Sequence, residues 1–187
     1  MSQGMFLLTG SDLTFVDTVK FKDGLDHLRL FSDKVKELLK EKNADIVFAF
    51  QLRNPLHNGH CMLFNDTRTK LINDGYKNPV LLLHPCGGWT KDDDVPLDTR
   101  IKQHEALFES GILEKESTVM TIWPSPLYYA GPLEVLWHFS SRQFAGVNYM
   151  IVSRDPAGLK TQIIKKKIFT ILPTDKKYFN FCIIKKY

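Results

Sequence analysis

The sequence predicts an α/β fold built on a mostly parallel β-sheet. Four short apolar runs, rich in β-branched and aromatic residues, alternate along the chain with segments of helical periodicity. Runs of this kind are typical of strands buried on both faces, and their alternation with helices indicates parallel pairing. Polar residues follow each run directly, and folds of this class bind ligands at the carboxyl ends of their strands. We therefore expect these polar residues to meet at one edge of the sheet.

The predicted elements follow one another in a regular order. Strands are expected at residues 46–50, 80–84, 118–123 and 149–152. Helices are expected at residues 32–42, 58–73, 98–109 and from Pro132 onward. Ser32 is predicted to cap the first helix, and Pro132 suits the first turn of the last. The second helix is predicted to turn four side chains toward the sheet, Met62, Leu63, Leu71 and Ile72.

The composition is that of a globular domain. Of 187 residues, 43% are hydrophobic and 25% are charged. No apolar run approaches the roughly 20 residues of a membrane span, and the N-terminus lacks the features of a secretory signal. The three cysteines, Cys61, Cys86 and Cys182, are an odd number at wide spacing, which favours reduced thiols and a cytosolic location.

The net charge of +4 is concentrated at one end of the chain. Residues 160–187 hold eight lysines and a single acidic residue, Asp175, so the rest of the chain is slightly acidic. A basic tail of this kind does not indicate a basic surface on the folded domain. We therefore expect neither a nucleic-acid partner nor a membrane partner.

A turn with two histidines follows the first predicted strand. His57 and His60 flank Asn58 and Gly59 where a helix is expected to begin. Gly59 would let a phosphate approach the backbone, and the free N–H groups and dipole of a helix start attract anions. The histidines would donate hydrogen bonds to triphosphate oxygens and stabilise departing pyrophosphate, the chemistry of HxGH nucleotidylyltransferases. The alternatives are solvated surface histidines or a metal site, although no third ligand stands at a metal-binding spacing.

Gln51 and Arg53 stand just before that turn. Arginine offers a planar fork of donors that suits a tetrahedral oxyanion, and glutamine adds a neutral amide donor. The alternative interpretation is an ordinary polar strand end. Together with the histidines, they predict two adjacent anion sites, one for nucleotide phosphates and one for an attacking oxyanion.

Other polar residues are interpreted as structural. The run from Lys91 to Asp94 is expected to be a solvated charged turn rather than a Mg²⁺ or phosphate loop. His84 and His138 are expected to be hydrogen-bonded groups without catalytic roles. Arg142 is expected either to face the site or to pair with a neighbour on the helix surface.

The segment from Gln51 to His60 resembles the signature Q-x-R-N-P-x-H-x-G-H of ATP sulfurylases, or sulfate adenylyltransferases. Further motifs of that family occur in the same order, at residues 79–85, 87–97, 129–132 and 151–158. The sequence resembles in particular the sulfurylase half of the bifunctional PAPS synthases of animals. The resemblance implies a Rossmann-like HxGH nucleotidylyltransferase domain that makes adenosine 5′-phosphosulfate and pyrophosphate from ATP and sulfate.

The resemblance also assigns roles to individual residues. It implies catalytic roles for Arg53, Asn54, His57 and His60. Sulfate would be held by Gln51, Arg53 and Ala157, and the nucleotide by Gln51, Asn54, His57, His60, Arg154 and Asp155. Mg²⁺ would arrive bound to ATP, no protein side chain is expected to ligate a metal, and the full-length family implies a homodimer.

The sequence departs from the family pattern in three places, of which the least important is Asp98-Thr99, at a spot that is usually apolar or aromatic in the family. Ser153 stands where the family has glycine, and a serine would strain the loop if that position needs a positive φ. The pattern ends after Lys160, so we expect a remnant of an N-terminal domain and linker at 1–31, a catalytic domain at 32–160 and a basic tail outside the family pattern at 161–187. The sheet would then be incomplete at its C-terminal side. The expected function is that of a sulfate adenylyltransferase, with the activity of this incomplete domain left open; the alternatives are a catalytically silent fragment that binds a full-length subunit, and another HxGH adenylyltransferase.

Overall fold

The computed structural model describes Asp17, residues 19–152 and residues 182–185. Over these residues the helices are α1 (Ser32–Glu41), α2 (Asn58–Asn73), α3 (Leu97–Glu109) and α4 (Pro132–Gln143). The strands are β1 (Ile46–Leu52), β2 (Pro79–Pro85), β3 (Thr118–Met120), β4 (Tyr149–Val152) and β5 (Cys182–Lys185). A short 3-10 helix, Asp26–Leu28, precedes α1. Each predicted helix and strand is present, and β5 is a strand that the sequence did not predict.

The strands form one sheet in the order β3-β2-β1-β4-β5. β1 pairs in parallel with β2 and β4, and β2 pairs in parallel with β3. β5, which comes from the predicted tail, is antiparallel to β4. The predicted α/β class with a mostly parallel sheet is confirmed. Because β1 is central, the carboxyl ends of β1, β2 and β4 meet at one edge of the sheet.

Helices cover both faces of the sheet. Alternate residues of β1 point to opposite sides, so Val47 packs in one core with Phe139 of α4. Phe48 and Phe50 pack in a second core on the other side with Phe64 of α2. This double burial explains why the strand is apolar throughout instead of alternating with polar residues.

The start of α1 differs from the prediction. The N-cap residue is Phe31, and no side chain caps this helix. The N–H of Val35 already bonds to the carbonyl of Phe31, so the helix includes Ser32 as its first residue. A serine inside the first turn cannot act as the N-cap, and the predicted capping role of Ser32 is wrong.

The buried face of α2 is also narrower than predicted. Met62 is 64% exposed and Ile72 is 49% exposed, whereas Leu63 and Leu71 are buried as expected. Phe64 and Thr67 complete the buried face. Spacings of three and four residues keep these side chains on one stripe, and Met62 and Ile72 are each one position, about 100°, off that stripe.

β3 is shorter than the predicted strand at residues 118–123. Its ladder with β2 ends at Met120, and only an isolated bridge between Cys86 and Trp123 continues the pairing. The N–H of Ile122 and the hydroxyl of Thr121 both donate to the carbonyl of Leu28. The backbone N–H groups of Thr121 and Trp123 still donate to the carbonyls of Leu83 and Pro85, so residues 121–123 stay beside β2 on one side and bind the segment before α1 on the other.

Several predictions concern residues outside the described part of the chain. Ser153 and most of the predicted N-terminal remnant belong to this group, and the proposed boundaries at residues 31 and 160 stay predictions. Among the helices described, none has the length and apolar character that a membrane span requires.

Candidate functional site

A cavity of about 170 Å³ opens at the carboxyl edge of the sheet. β1 and its following turn contribute Gln51, Arg53, Asn54 and His60 to its wall. Cys86, Leu127, His138 and Val152 line it from the neighbouring strands, the loop before α4 and α4 itself. The structure therefore brings four of the residues predicted for the site around one cavity. Their individual roles stay predictions.

The two histidines form a closed hydrogen-bonded unit at the start of α2. His57 is the N-cap residue, and its Nδ1 accepts the N–H of Gly59 at 3.1 Å. Nδ1 of His60 accepts the N–H of His57 at 3.3 Å, and the two rings stack with centroids 3.8 Å apart. A side chain at Gly59 would place its Cβ 3.0 Å from the His57 ring, so glycine leaves room for this arrangement. Both rings are held in one orientation.

The hydrogen bonds define the tautomer of each ring. Because Nδ1 accepts in both histidines, the proton of the neutral ring lies on Nε2. Burial and the neighbouring His57 lower the pKa of His60 to about 4, so that ring is neutral near pH 7. His60 also packs between Phe50 and Phe64, which contradicts a solvated surface position. The pair thus supplies two Nε2–H donors, and the His60 ring does so without adding a full positive charge.

The backbone N–H groups at the start of α2 offer fewer free hydrogen-bond donors to an anion than predicted. The N–H of Gly59 is bonded to the His57 ring, and the N–H groups of His60 and Cys61 are bonded to the His57 carbonyl. Three of the amides expected to receive a phosphate are therefore occupied within the turn. The donors at this helix start are mainly the ring Nε2–H groups, supported by the helix dipole.

Arg53 and Gln51 lie at the end of β1. Gln51 is half-buried, and its Oε1 is buried with no hydrogen-bond partner among the described residues. Nη1 of Arg53 pairs with a carboxylate oxygen of Asp94. The guanidinium also lies 5.9 Å from the centroid of the Tyr129 ring. Asn54 is exposed beside them.

The Asp94 contact corrects the interpretation of residues 91–94. Lys91, Asp92 and Asp93 are exposed, as expected for a solvated turn, but the side chain of Asp94 is only 6% exposed. Nothing in the local sequence distinguishes Asp94 from its two acidic neighbours. The pairing arises because the turn after β2 folds over the end of β1.

A buried polar layer lies beneath the cavity. Arg142 is fully buried and donates to His84 and to the carbonyl of His138, which excludes the predicted alternative of pairing on the helix surface. Its guanidinium lies 4.3 Å from the centroid of the Trp123 ring, and burial lowers its pKa to about 9. Helical spacing aligns Arg142 with His138 and with the buried Val135 and Phe139. That spacing is a sequence signal that would have placed Arg142 inside.

Glu134 joins this layer to the loop that precedes α4. Its two carboxylate oxygens accept the N–H groups of Tyr128 and Ala130 at 2.8 and 2.7 Å. Nε2 of His138 lies 3.3 Å from the same carboxylate. Burial and the nearby Arg142 lower the pKa of His138 to about 4. His138 is therefore a neutral ring held by Glu134 in the cavity wall, and both His84 and His138 are hydrogen-bonded as predicted.

A second buried pair lies on α3. Arg100 donates from Nε to the carbonyl of Val95 and from Nη2 to that of Cys86. His104, one turn later, is fully buried, and burial together with Arg100 lowers its pKa to about 4. These residues support the loop after β2, opposite the cavity wall formed by α4.

Three residues predicted for the site are not among those described. Arg154, Asp155 and Ala157 follow β4, whose last residue, Val152, lines the cavity. Their roles in binding nucleotide and sulfate stay predictions.

The fold and site define a Rossmann-like α/β domain with an HxGH turn. A sequence model of the family named ATP-sulfurylase matches residues 26–179, and the chain belongs to that family. The match continues past Lys160, where the sequence analysis placed the end of the family pattern.

Curated relatives agree with this assignment. The chain is 53% identical over 162 residues to ATP sulfurylase 2 of Arabidopsis thaliana, which covers 87% of the chain and 34% of the relative. It is 52% identical to ATP sulfurylase 4, chloroplastic, of the same plant, with the same coverage of 87% and 34%. It is 33% identical over 153 residues to a sulfate adenylyltransferase of Halothermothrix orenii, covering 82% of the chain and 38% of that protein. The chain spans about a third of the length of these relatives.

A solved structure has a similar fold. The hexameric APS kinase from Thiobacillus denitrificans superimposes with a TM-score of 0.54 and 18% sequence identity. The similarity covers 70% of this chain and 24% of that one. At this identity the likeness establishes the fold alone.

Proposed function

We propose that this chain carries the catalytic chemistry of a sulfate adenylyltransferase. ATP and sulfate would give adenosine 5′-phosphosulfate and pyrophosphate. The observation that carries the proposal is the placement of Arg53, Gln51 and His60 around one cavity, with His57 stacked on the His60 ring. This arrangement offers donors for two anions at adjacent positions, which is what attack of one oxyanion on a phosphate requires.

Separate groups of residues would bind the two substrates. The Nε2–H groups of His57 and His60 would donate to the phosphate oxygens of ATP and stabilise charge on the departing pyrophosphate. Arg53 and Gln51 would hold sulfate, and Asn54 would contact the α-phosphate. A sulfate oxygen would then attack the α-phosphorus in line, while the bond to pyrophosphate breaks. Catalysis would rest on positioning and on electrostatic stabilisation, without a covalent enzyme intermediate.

The metal is proposed as part of the substrate. Among the described residues, His, Cys, Asp and Glu side chains do not converge in groups of three or more that could hold an ion. Mg²⁺ bound to the triphosphate would reduce the repulsion between the anions that meet at the site. Arg154, Asp155 and Ala157 are proposed, by their match to the family motif, to complete the nucleotide and sulfate sites. A cytosolic location also stays a proposal.

The experiment measures ATP formation from adenosine phosphosulfate and pyrophosphate with the purified full chain. We expect turnover by the wild-type protein, and a loss of at least about 100-fold in kcat/KM for Arg53→Ala and for His60→Ala. His27→Ala, which changes an exposed histidine away from the cavity, should keep wild-type activity.

Binding separates the competing functions. A ligand that binds only the folded state raises its melting temperature. Stabilisation by ATP-Mg without turnover, together with binding to a full-length sulfurylase subunit, would instead support a silent binding fragment. Turnover with a nucleotide or pantetheine phosphate but not with sulfate would support another HxGH adenylyltransferase.

A further inference from the structure

We propose that Asp94 is a positioning residue for Arg53, which holds the guanidinium at the cavity before the oxyanion arrives. The inference deepens the proposed function, because the oxyanion it concerns is sulfate. Its basis is the contact between the Arg53 guanidinium, on the wall of the cavity, and a buried carboxylate from the turn at residues 91–94.

Asp94 is itself held rigidly. Its Oδ2 accepts the N–H of Lys91 at 3.1 Å, and its own N–H donates to the carbonyl of Lys91 at 3.0 Å. The side chain and the backbone of Asp94 are thus both hydrogen-bonded to Lys91. The second carboxylate oxygen, Oδ1, accepts the bond from Arg53. A carboxylate fixed in this way orients the side chain that it contacts.

The contact with Arg53 involves one end of the guanidinium. Asp94 bonds to Nη1, and no other described residue hydrogen-bonds to Arg53. Nε and Nη2 remain as donors for a ligand in the cavity. A side chain of this length loses much rotamer freedom when it binds an anion, and here part of that loss occurs before binding. Asp94 therefore prepares Arg53 for a tetrahedral oxyanion without using all of its donors.

The same carboxylate opposes anion binding through its charge. A negative charge at contact distance partly cancels the attraction of Arg53 for sulfate. Asp94 should thus weaken the binding of sulfate while it improves the orientation of sulfate for attack. These two effects move KM and kcat separately, which a purely structural role in the turn would not do.

The test is the variant Asp94→Asn. Asparagine keeps an oxygen for the N–H of Lys91, so it removes the charge while preserving the turn. We expect the KM for sulfate to stay the same or fall, and kcat to fall by about tenfold or more, since misplaced reacting groups lose rate steeply. Asp92→Asn and Asp93→Asn are matched controls in the same turn, because both side chains are exposed and the charge change is identical. Both controls should stay within about twofold of wild type in kcat and KM.

Two kinetic outcomes would overturn the proposal. One is an Asp94→Asn protein that behaves like the two controls. The other is a large rise in the KM for sulfate with kcat unchanged, which would mean that Asp94 only supports ground-state binding.

A second measurement does not depend on turnover. In ¹⁵N-arginine-labelled protein, a paired guanidinium rotates slowly and gives resolved Nη proton signals. We expect one set of resolved Nη signals that is present in the wild-type and Asp92→Asn spectra and absent from the spectra of Arg53→Lys and Asp94→Asn. If the wild-type spectrum lacks it, Asp94 does not hold Arg53. If it is present but sulfate does not shift it, the positioning contact stands and the proposed sulfate site fails.

Discussion

Nε–H of Arg142 donates to Nδ1 of His84 across 2.8 Å, joining α4 to the end of β2. Both side chains are fully buried, and burial together with the Arg142 charge lowers the pKa of His84 well below its usual range. The neutral ring can therefore accept this bond. His84 is the register partner of Gln51 in the neighbouring strand, and paired residues of parallel strands point to the same face. The bond thus supports the sheet directly below the candidate site.

This pairing predicts non-additive losses of stability. Arg142→Met leaves Nδ1 of His84 without its donor, and His84→Leu leaves the buried Nε–H of Arg142 without its acceptor. Each should lower the free energy of unfolding by at least about 1–3 kcal/mol, the cost of an unsatisfied buried polar group. The double variant should lose less than the sum of the two, with a coupling of about 0.5–3 kcal/mol measured by urea denaturation. Strict additivity would mean that the bond contributes nothing to folding.

His57 should stabilise the helix and bind phosphate through different atoms. His57→Ala removes the cap of α2 and should cost about 1 kcal/mol of stability. His57→Asn restores a good capping oxygen but lacks the ring Nε2–H, so it should regain stability without regaining affinity for ATP. Urea denaturation and the shift of melting temperature with ATP-Mg measure the two properties. Equal stability of the two variants would contradict the capping role, and wild-type ATP affinity in His57→Asn would contradict the donor role.

The buried histidines should make the protein sensitive to acid. The pKa values of His60, His104 and His138 are lowered to about 4, so the folded protein keeps these rings neutral where the unfolded chain, with values near 6.5, takes up protons. Below about pH 6.5 the unfolded state binds more protons, and stability should fall as the pH decreases toward 4. Each such ring contributes at most about 1.4 kcal/mol per pH unit.

His104 gives the sharpest test of this dependence, because it is fully buried and lies outside the cavity wall. His104→Leu should flatten the slope of unfolding free energy against pH between about 6.5 and 4, while replacement of the exposed His27 by Asn should leave it unchanged. A slope that is the same in His104→Leu and wild type would show that this ring does not titrate differently in the two states.

Gly88 should tolerate no side chain. A Cβ there would overlap the backbone of Ser125 and Pro126, just before Leu127 of the cavity wall. Gly88→Ala should therefore destabilise the fold by about 1–3 kcal/mol and displace that loop. At Gly87 the added Cβ would overlap Cγ2 of the buried Ile122, so Gly87→Ala should also destabilise the fold, but less than Gly88→Ala because the overlapped atom belongs to a side chain and not to the backbone. Urea denaturation of the two variants shows which one loses more stability. A larger loss of stability in Gly87→Ala than in Gly88→Ala would contradict this account of the loop.

Much of the fold follows from local sequence. The runs at residues 46–50 in β1 and 80–83 in β2 predict buried strands because they are hydrophobic on both sides of the pleat. The turn at His57 and His60 is equally local, since its capping bonds join residues two and three positions apart. Where the local pattern was ambiguous, at Ser32 and at the ends of the inner face of α2, the predictions were wrong by one position.

The remaining features were decided by contacts between distant segments. In the sequence, nothing distinguishes Asp94 from Asp92 and Asp93. Asp94 differs because the turn at 91–94 packs against Arg53, 41 residues earlier. Arg142 becomes a buried cation because α4 packs over His84, 58 residues away. β5 joins the sheet by pairing with β4, a strand far from it in the sequence. The sequence by itself determined the four helices, the approximate positions of the four parallel strands and the HxGH turn, because those depend on neighbours along the chain. The tertiary structure alone decided how the charges around the site are paired, because burial and proximity exist only once the elements have packed.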